Sequence, residues 1–241
     1  MKHLLLPLLL AAAATTASAQ DGATALREAL ARFKNQSPLK AQLLLKSESQ
    51  GEDAGSAQVQ LPIEDGPQGL RLLYPQSLLQ KAAQEDEAKD RDPKANTPTA
   101  SGLKQLELND LAGMTRAAEA LQRRLARASF KGEKAEPWQG QPARKLSFEL
   151  ENSRPNKYVK DYSGLLEVWI NADGVPLASR AQQKVSGRVM VVVSFDMSNE
   201  DETVYQVSGD RLLAVKRNSK SQGSGAGEKG SQQRWLTLSV S

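Results

Sequence analysis

The chain has 241 residues, with 32 Lys and Arg against 28 Asp and Glu, a formal charge of +4, 5% aromatic residues, no cysteine and one histidine. That charge is small and dispersed, which argues against a nucleic-acid surface, and so few aromatics argue against stacking platforms for bases. Without cysteine there are no disulfides, so stability must come from a packed core, for which a chain of this length suffices in one domain.

The first residues read as an export signal. Met1-Lys2-His3 is a short positive segment, Leu4 to Leu10 with Ala11 to Ala14 is an apolar run, and Ala17-Ser18-Ala19 is a small-x-small cleavage site. The run is too short for a bilayer span and is broken by Pro7. We therefore expect a signal peptide over residues 1–19, cleavage before Gln20, a periplasmic location and a single mature domain over 20–241. No second apolar run of membrane length follows, so no integral membrane segment is expected in the mature chain. Cleavage also removes His3. The mature chain then lacks both imidazole and thiol, the usual side chains of Ser–His–Asp and Cys–His catalysis and of zinc sites.

Residues 23–34 carry Leu26, Ala29, Leu30 and Phe33 at helical spacing. From Leu39 the period becomes two: Leu39, Ala41, Leu43 and Leu45 alternate, then Ala57, Val59, Leu61 and Ile63, which predicts a hairpin of half-buried strands. A short strand is predicted at 69–74 and a charged helix at 77–89. Residues 90–102, with Pro93 and Pro98, read as a mobile loop. A stronger helix is predicted over 111–127, with Asp110 as N-cap and Leu111, Met114, Ala118, Leu121 and Leu125 as its apolar stripe. Arg123, Arg124 and Arg127 gather in its last turns. They serve either the helix dipole and solvation or a contact with an anionic lipid or partner.

The second half is almost all strand pattern: 144–150, 164–170, 175–185, 188–197, 203–207, 211–218 and 234–240. Turns are predicted at Ser186-Gly187, at 199–201 and at 208–210, with a flexible Gly/Ser-rich hairpin tip at 222–230. That tip lacks the Gly-Lys-Ser/Thr step and the following helix of a phosphate loop. The clusters Glu85-Asp86-Glu87 and Glu200-Asp201-Glu202 lie in polar surroundings with no apolar wall to raise a carboxyl pKa, and read as solvated charge rather than glycosidase acids. Trp138 is expected to cover a sheet end. Trp169 and Trp235 lie inside strands, Trp169 facing away from Val168 and Ile170. Sheet packing is the plain role for all three, and lining an apolar cavity is the alternative.

A short helix, a hairpin, a strand closing in Leu70-Arg71-Leu72-Leu73-Tyr74-Pro75, a helical segment, and a long meander containing Trp169-Ile170-Asn171-Ala172-Asp173-Gly174-Val175-Pro176-Leu177 follow in order. This order resembles the periplasmic lipoprotein-carrier family of the LolA and LolB type, and the related RseB-type sensor domain. The resemblance covers most of 23–241 and is one of rhythm. The charged stretch 81–102 and the tip 222–230 depart from it. It implies an α+β fold, a curved, unclosed antiparallel β-barrel with helices covering an apolar concave face that holds acyl chains. The expected function is a non-enzymatic carrier or sensor for an acylated lipid or lipoprotein, without cofactor or metal. Leu43, Leu45, Val59, Leu61, Leu72, Val168 and Ile170 are the expected lining of the concave face. Leu111, Met114 and Leu121 are the expected lid. An envelope protein-interaction module with a solid core and no cavity is the alternative.

Overall fold

A computed structural model describes residues 18–51, 54–152, 157–189 and 193–240. The signal-peptide reading of residues 1–19 falls almost wholly outside the described residues. The fold is α+β: one unclosed, curved, antiparallel sheet of ten strands with helices packed on its concave face. The strands are β1 (Leu39–Gln50), β2 (Gly55–Asp65), β3 (Arg71–Leu72), β4 (Ala128–Ala135), β5 (Arg144–Leu150), β6 (Val159–Ile170), β7 (Pro176–Val189), β8 (Val193–Ser208), β9 (Arg211–Gly225) and β10 (Glu228–Val240). Their order is β3-β2-β1-β10-β9-β8-β7-β6-β5-β4, so the N-terminal hairpin joins the meander through its last strand. Register shifts at Phe130/Gly132, Val159/Asp161, Trp169/Ile170 and Val204/Tyr205 mark the bulges that bend strands.

Residues directly opposite in an antiparallel ladder share a face, and the registers trace the concave face rung by rung. One rung runs Val59, Leu45, Leu236, Arg217, Thr203, Ser179, Val168, Leu146. With Leu43, Leu61, Leu166, Phe148, Leu212 and Leu238, its apolar members form one buried cluster with Leu26, Leu30, Leu111, Met114, Leu121 and Leu125 of the helices. The period-two face read for the first hairpin and for β5 and β6 is the face that is buried.

The helices are α1 (Ser18–Ala31), α2 (Gln76–Arg91), α3 (Pro98–Lys104), α4 (Leu108–Thr115) and α5 (Ala117–Leu125). α1 lies against β4 and β5, α3 against β1 and β2, and α4 and α5 against β9, while α2 is an outer layer on α3. Several expectations change here. The segment 90–102 contains the start of α3, whose Thr99, Ala100 and Gly102 are buried. A Cβ on Gly102 would come within 3.0 Å of Gln58 and Val59, so the glycine permits the close approach. Glu85 caps α3, accepting the amides of Thr99 (2.7 Å) and Ala100 (2.8 Å). The helix expected at 111–127 is two helices broken at Arg116, and Asp110 lies within α4, whose N-cap is Glu107. Ser186-Gly187 and 199–201 are not turns but interior residues of β7 and β8. β4 had no sequence prediction, and β3 is two residues rather than six. The ladder of the 222–230 tip continues to Gly225 and resumes at Glu228, leaving a two-residue turn with Ala226 at φ 53° and Gly227 at φ 90°.

Three contacts tie the layers together. Arg211, 1% exposed, donates to the carbonyls of Ser37 (2.6 Å), Asn35 (2.8 Å) and Thr115 (3.4 Å) and to Asp65 (3.1 Å). Arg116, at the break between α4 and α5, reaches the same Asp65 at 2.7 and 3.0 Å. Gly174, at φ +78° in the β6–β7 turn, sits against α1, where a Cβ would lie 2.5 Å from the Ala25 carbonyl oxygen.

Candidate functional site

The concave face changes character along the strands. Next to the rung already traced lies Ser47, Arg234, Ser219, Asp201, Ala181, Leu166, Phe148, Phe130. Beyond it come Ser49, Gln232, Ser221, Asn199, Gln183, Gly164, and then Gly230, Gly223, Met197, Val185, Tyr162. The face therefore passes from an apolar, helix-covered floor through a charged belt to an open trough of polar and small residues.

The belt is an ion-pair relay between helices and sheet. Asp110 of α4 accepts from Arg234 (2.6 Å) and Arg217 (3.0 Å). Arg217 continues to both oxygens of Asp201, each at 3.2 Å, and Arg124 of α5 reaches Asp201 at 3.1 Å. The Ser219 hydroxyl also donates to Asp201. Burial alone would push the Asp201 carboxyl up, but Arg217 and Arg124 beside it outweigh that and hold it below the usual carboxylate range. Burial would likewise lower Arg217, yet Asp201 and Asp110 raise it above the usual guanidinium value. The sequence reading of 200–202 as solvated charge is thus corrected for Asp201. Asp201 points into the concave face, while Glu200 and Glu202 pair with Arg180 on the opposite face.

Between α4–α5 and strands β7 to β9 lies a cleft of about 700 Å³, within the range of roughly 300–1,000 Å³ typical of small-molecule sites. Met114, Ala117, Ala120 and Leu121 form its helical wall, and Leu150, Ala181, Tyr205 and Ala214 its sheet wall. The relay residues Asp110, Arg124, Asp201 and Arg217 close one side, with Arg123, Arg127 and Glu151 at the mouth. A second opening of about 810 Å³ lies at the far end of the trough, around Gly223, Gly230, Met197 and Val185. Consecutive residues from both faces of each strand line it, so it is the space around protruding hairpin ends rather than a walled chamber. The cleft beneath α4–α5 is the better-formed site.

The expected ligand residues separate into two groups. Met114 and Leu121 line the cleft. Leu43, Leu45, Val59, Leu61, Leu111, Val168 and Ile170 are buried in the contiguous core, and Leu72 packs at its edge. They share the concave face, but here they pack against helices and against one another. Trp169 is buried on the outer face, its ring tilted at 47° against Trp138 with centroids 4.8 Å apart, and it donates to Glu136 at 3.2 Å. Glu136 lies between Lys134 and Lys145, which bring its carboxyl down to about 2. Neither tryptophan lines the cleft or the opening at the far end of the trough. Sequence reasoning missed Asp201, Arg217 and Arg234, because their partners come from elements far apart in the chain. No family model matches this chain, and neither a curated protein nor a solved structure matches it. No described helix is long and apolar enough to cross a membrane.

Proposed function

We propose that this chain is a non-enzymatic carrier or sensor of the cell envelope, exported to the periplasm, that holds one acyl chain of a lipid or lipoprotein between α4–α5 and the sheet. The observation that supports it is the cleft of about 700 Å³, walled by Met114, Ala117, Ala120 and Leu121 on one side and by Leu150, Ala181 and Ala214 on the other. Burying apolar area contributes about 25 cal/mol per Å², so one acyl chain in such a cleft supplies several kcal/mol. Met114 suits a wall that must fit chains of different shape. The seven core residues inferred from sequence become available to ligand only if the covering helices, α3 over β1 and β2 among them, move off the sheet.

The test is displacement of N-phenyl-1-naphthylamine, an uncharged fluorescent probe, from delipidated mature protein. Displaceable binding at micromolar probe is expected. Ala120→Trp, which fills the cleft from a half-exposed helical position, should abolish it without loss of fold. A folded wild-type protein that binds no probe refutes the reading. The second reading, a protein-interaction module with a solid core, is favoured by the tight burial of Leu43, Leu45, Val59 and Leu61. It predicts no probe binding and no copurified lipid in native mass spectra.

A further inference from the structure

The members of the ion-pair relay are not held equally. Asp201 keeps two bonds from Arg217 and one from Ser219 when Arg124 is taken away. Arg124, by contrast, makes a single contact to Asp201, at 3.1 Å, and shares that oxygen with Arg217. It is also the most exposed member, at 38% against 16–25% for the other four. Releasing Arg124 therefore strands no buried carboxylate. Its neighbours at the mouth are similarly uncommitted. Arg123 meets Glu119 only at 3.9 Å with 69% of its side chain exposed, and Arg127 forms no ion pair among the described residues. The charged groups lining the cleft are Arg123, Arg124, Arg127 and Arg217 against Asp110, Asp201 and Glu151. Both aspartates are already held by Arg217, and Asp110 also by Arg234. The mouth thus presents Arg123, Arg124 and Arg127, none of them in more than one ion pair, against one exposed carboxylate, Glu151, beside a chamber whose apolar walls also carry Gln183, Asn199 and Thr203.

We infer that the cleft selects anionic amphiphiles, a single long hydrocarbon chain ending in a carboxylate or phosphate, whose head group takes Arg124 from Asp201 and is completed by Arg123 and Arg127. This rests on the proposed reading of the cleft as an acyl-chain site. A guanidinium fits both head groups, because its parallel N–H donors match two oxygens of either. Binding would exchange one ion pair for another, so the cost of breaking the Arg124–Asp201 contact is largely offset. An uncharged head group makes no such exchange and leaves the relay as it stands.

The experiment compares palmitate, hexadecyl phosphate and methyl palmitate as displacers of N-phenyl-1-naphthylamine, at 0.05 and 0.5 M salt. Either anion is expected to displace the probe at about tenfold lower concentration than the ester, as charge-assisted hydrogen bonds imply. Higher salt should shrink that advantage. The triple variant Arg123→Gln, Arg124→Gln, Arg127→Gln should lose the advantage while its response to methyl palmitate is unchanged, which also shows that it folds. An advantage confined to one anion supports the inference and identifies the head group. Equal displacement by all three in the wild type, or an advantage that survives in the triple variant, overturns the inference and leaves the acyl-chain reading intact. Failure of the probe to bind overturns both.

Discussion

Replacing Arg211 by Met keeps most of the side-chain volume and removes every donor at the point where α1, β1, β2, α4 and β9 meet. Three backbone carbonyls, of Asn35, Ser37 and Thr115, lose their guanidinium partner at a site that is 1% exposed, and Asp65 keeps Arg116 as its paired cation. Breaking a buried pair from one side costs about 3–5 kcal/mol. Asp65 keeps two good bonds, at 2.7 and 3.0 Å, so about 4 kcal/mol is the expected loss. Arg116→Met should cost less, about 1–2 kcal/mol, because Arg116 is partly exposed and Arg211 still neutralises Asp65. The double variant should be non-additive by about 1 kcal/mol or more, since both arginines serve one carboxylate. Urea unfolding followed by tryptophan fluorescence measures all three, with stability read from the midpoint at constant m. An Arg211→Met cost below about 1 kcal/mol, or an Arg116→Met cost exceeding it, refutes the reasoning.

Gly174→Ala places a Cβ 2.5 Å from the Ala25 carbonyl oxygen at φ +78°. It should lower stability by about 2–4 kcal/mol in the same urea assay, from left-handed strain and the collision together. Ala226→Asn should do the opposite, because Ala226 occupies the first positive-φ position of a two-residue hairpin turn that Asn-Gly suits best. About 0.5–1 kcal/mol, or roughly 1–3 °C in Tm by calorimetry, is expected. Asp65 and Asp201 are both held below their ordinary carboxylate values, Asp65 by the Arg116 hydrogen bonds and charge against an opposing burial effect. A depressed native pKa stabilises fully above the unfolded value of about 3.9 and is lost as pH falls through the native value. Urea midpoints should therefore be flat from pH 7 to 5 with respect to these groups and fall below about pH 4. Asp65→Asn, less stable at neutral pH, should show a shallower acid decline. An unchanged acid limb in that variant would show that Asp65 does not drive it.

The parts of the fold that alternate sharply in hydrophobicity were legible. Leu39 to Leu45, Ala57 to Ile63, Leu146 to Leu150 and Val168 to Ile170 have one wet and one dry face, and a period of two reports that directly. In β7, β8 and β9 the concave face is itself polar, carrying Gln183, Asn199, Asp201, Ser219 and Ser221, so the alternation disappears and Ser-Gly or Asn-Glu-Asp steps mimic turns. β4 was illegible because the bulge at Gly132 interrupts its pattern after Phe130. The break at Arg116 carries no local signal, and the carboxylate its side chain meets, Asp65, lies 51 residues away. The apolar stripe read over 111–127 includes Met114 and Leu121, which form part of the cleft's helical wall. The relay needed Asp110 to meet Arg217 across 107 residues and Arg234 across 124, and no local pattern records such pairings.

The adjacency of β1 and β10 has a consequence for how the chain reaches this state. Ala41 pairs with Val240, so the central seam of the sheet joins nearly the first strand residue to the last. Closing a loop of roughly 200 residues costs about 2.6 kcal/mol more than closing a ten-residue hairpin. The seam therefore forms late, after the hairpins of β4 to β10 have shortened the effective loop. Without β10 in place, the first hairpin has no neighbour on its inner edge and the sheet is in two pieces. The sheet, and the core beneath it, is complete only when this seam closes.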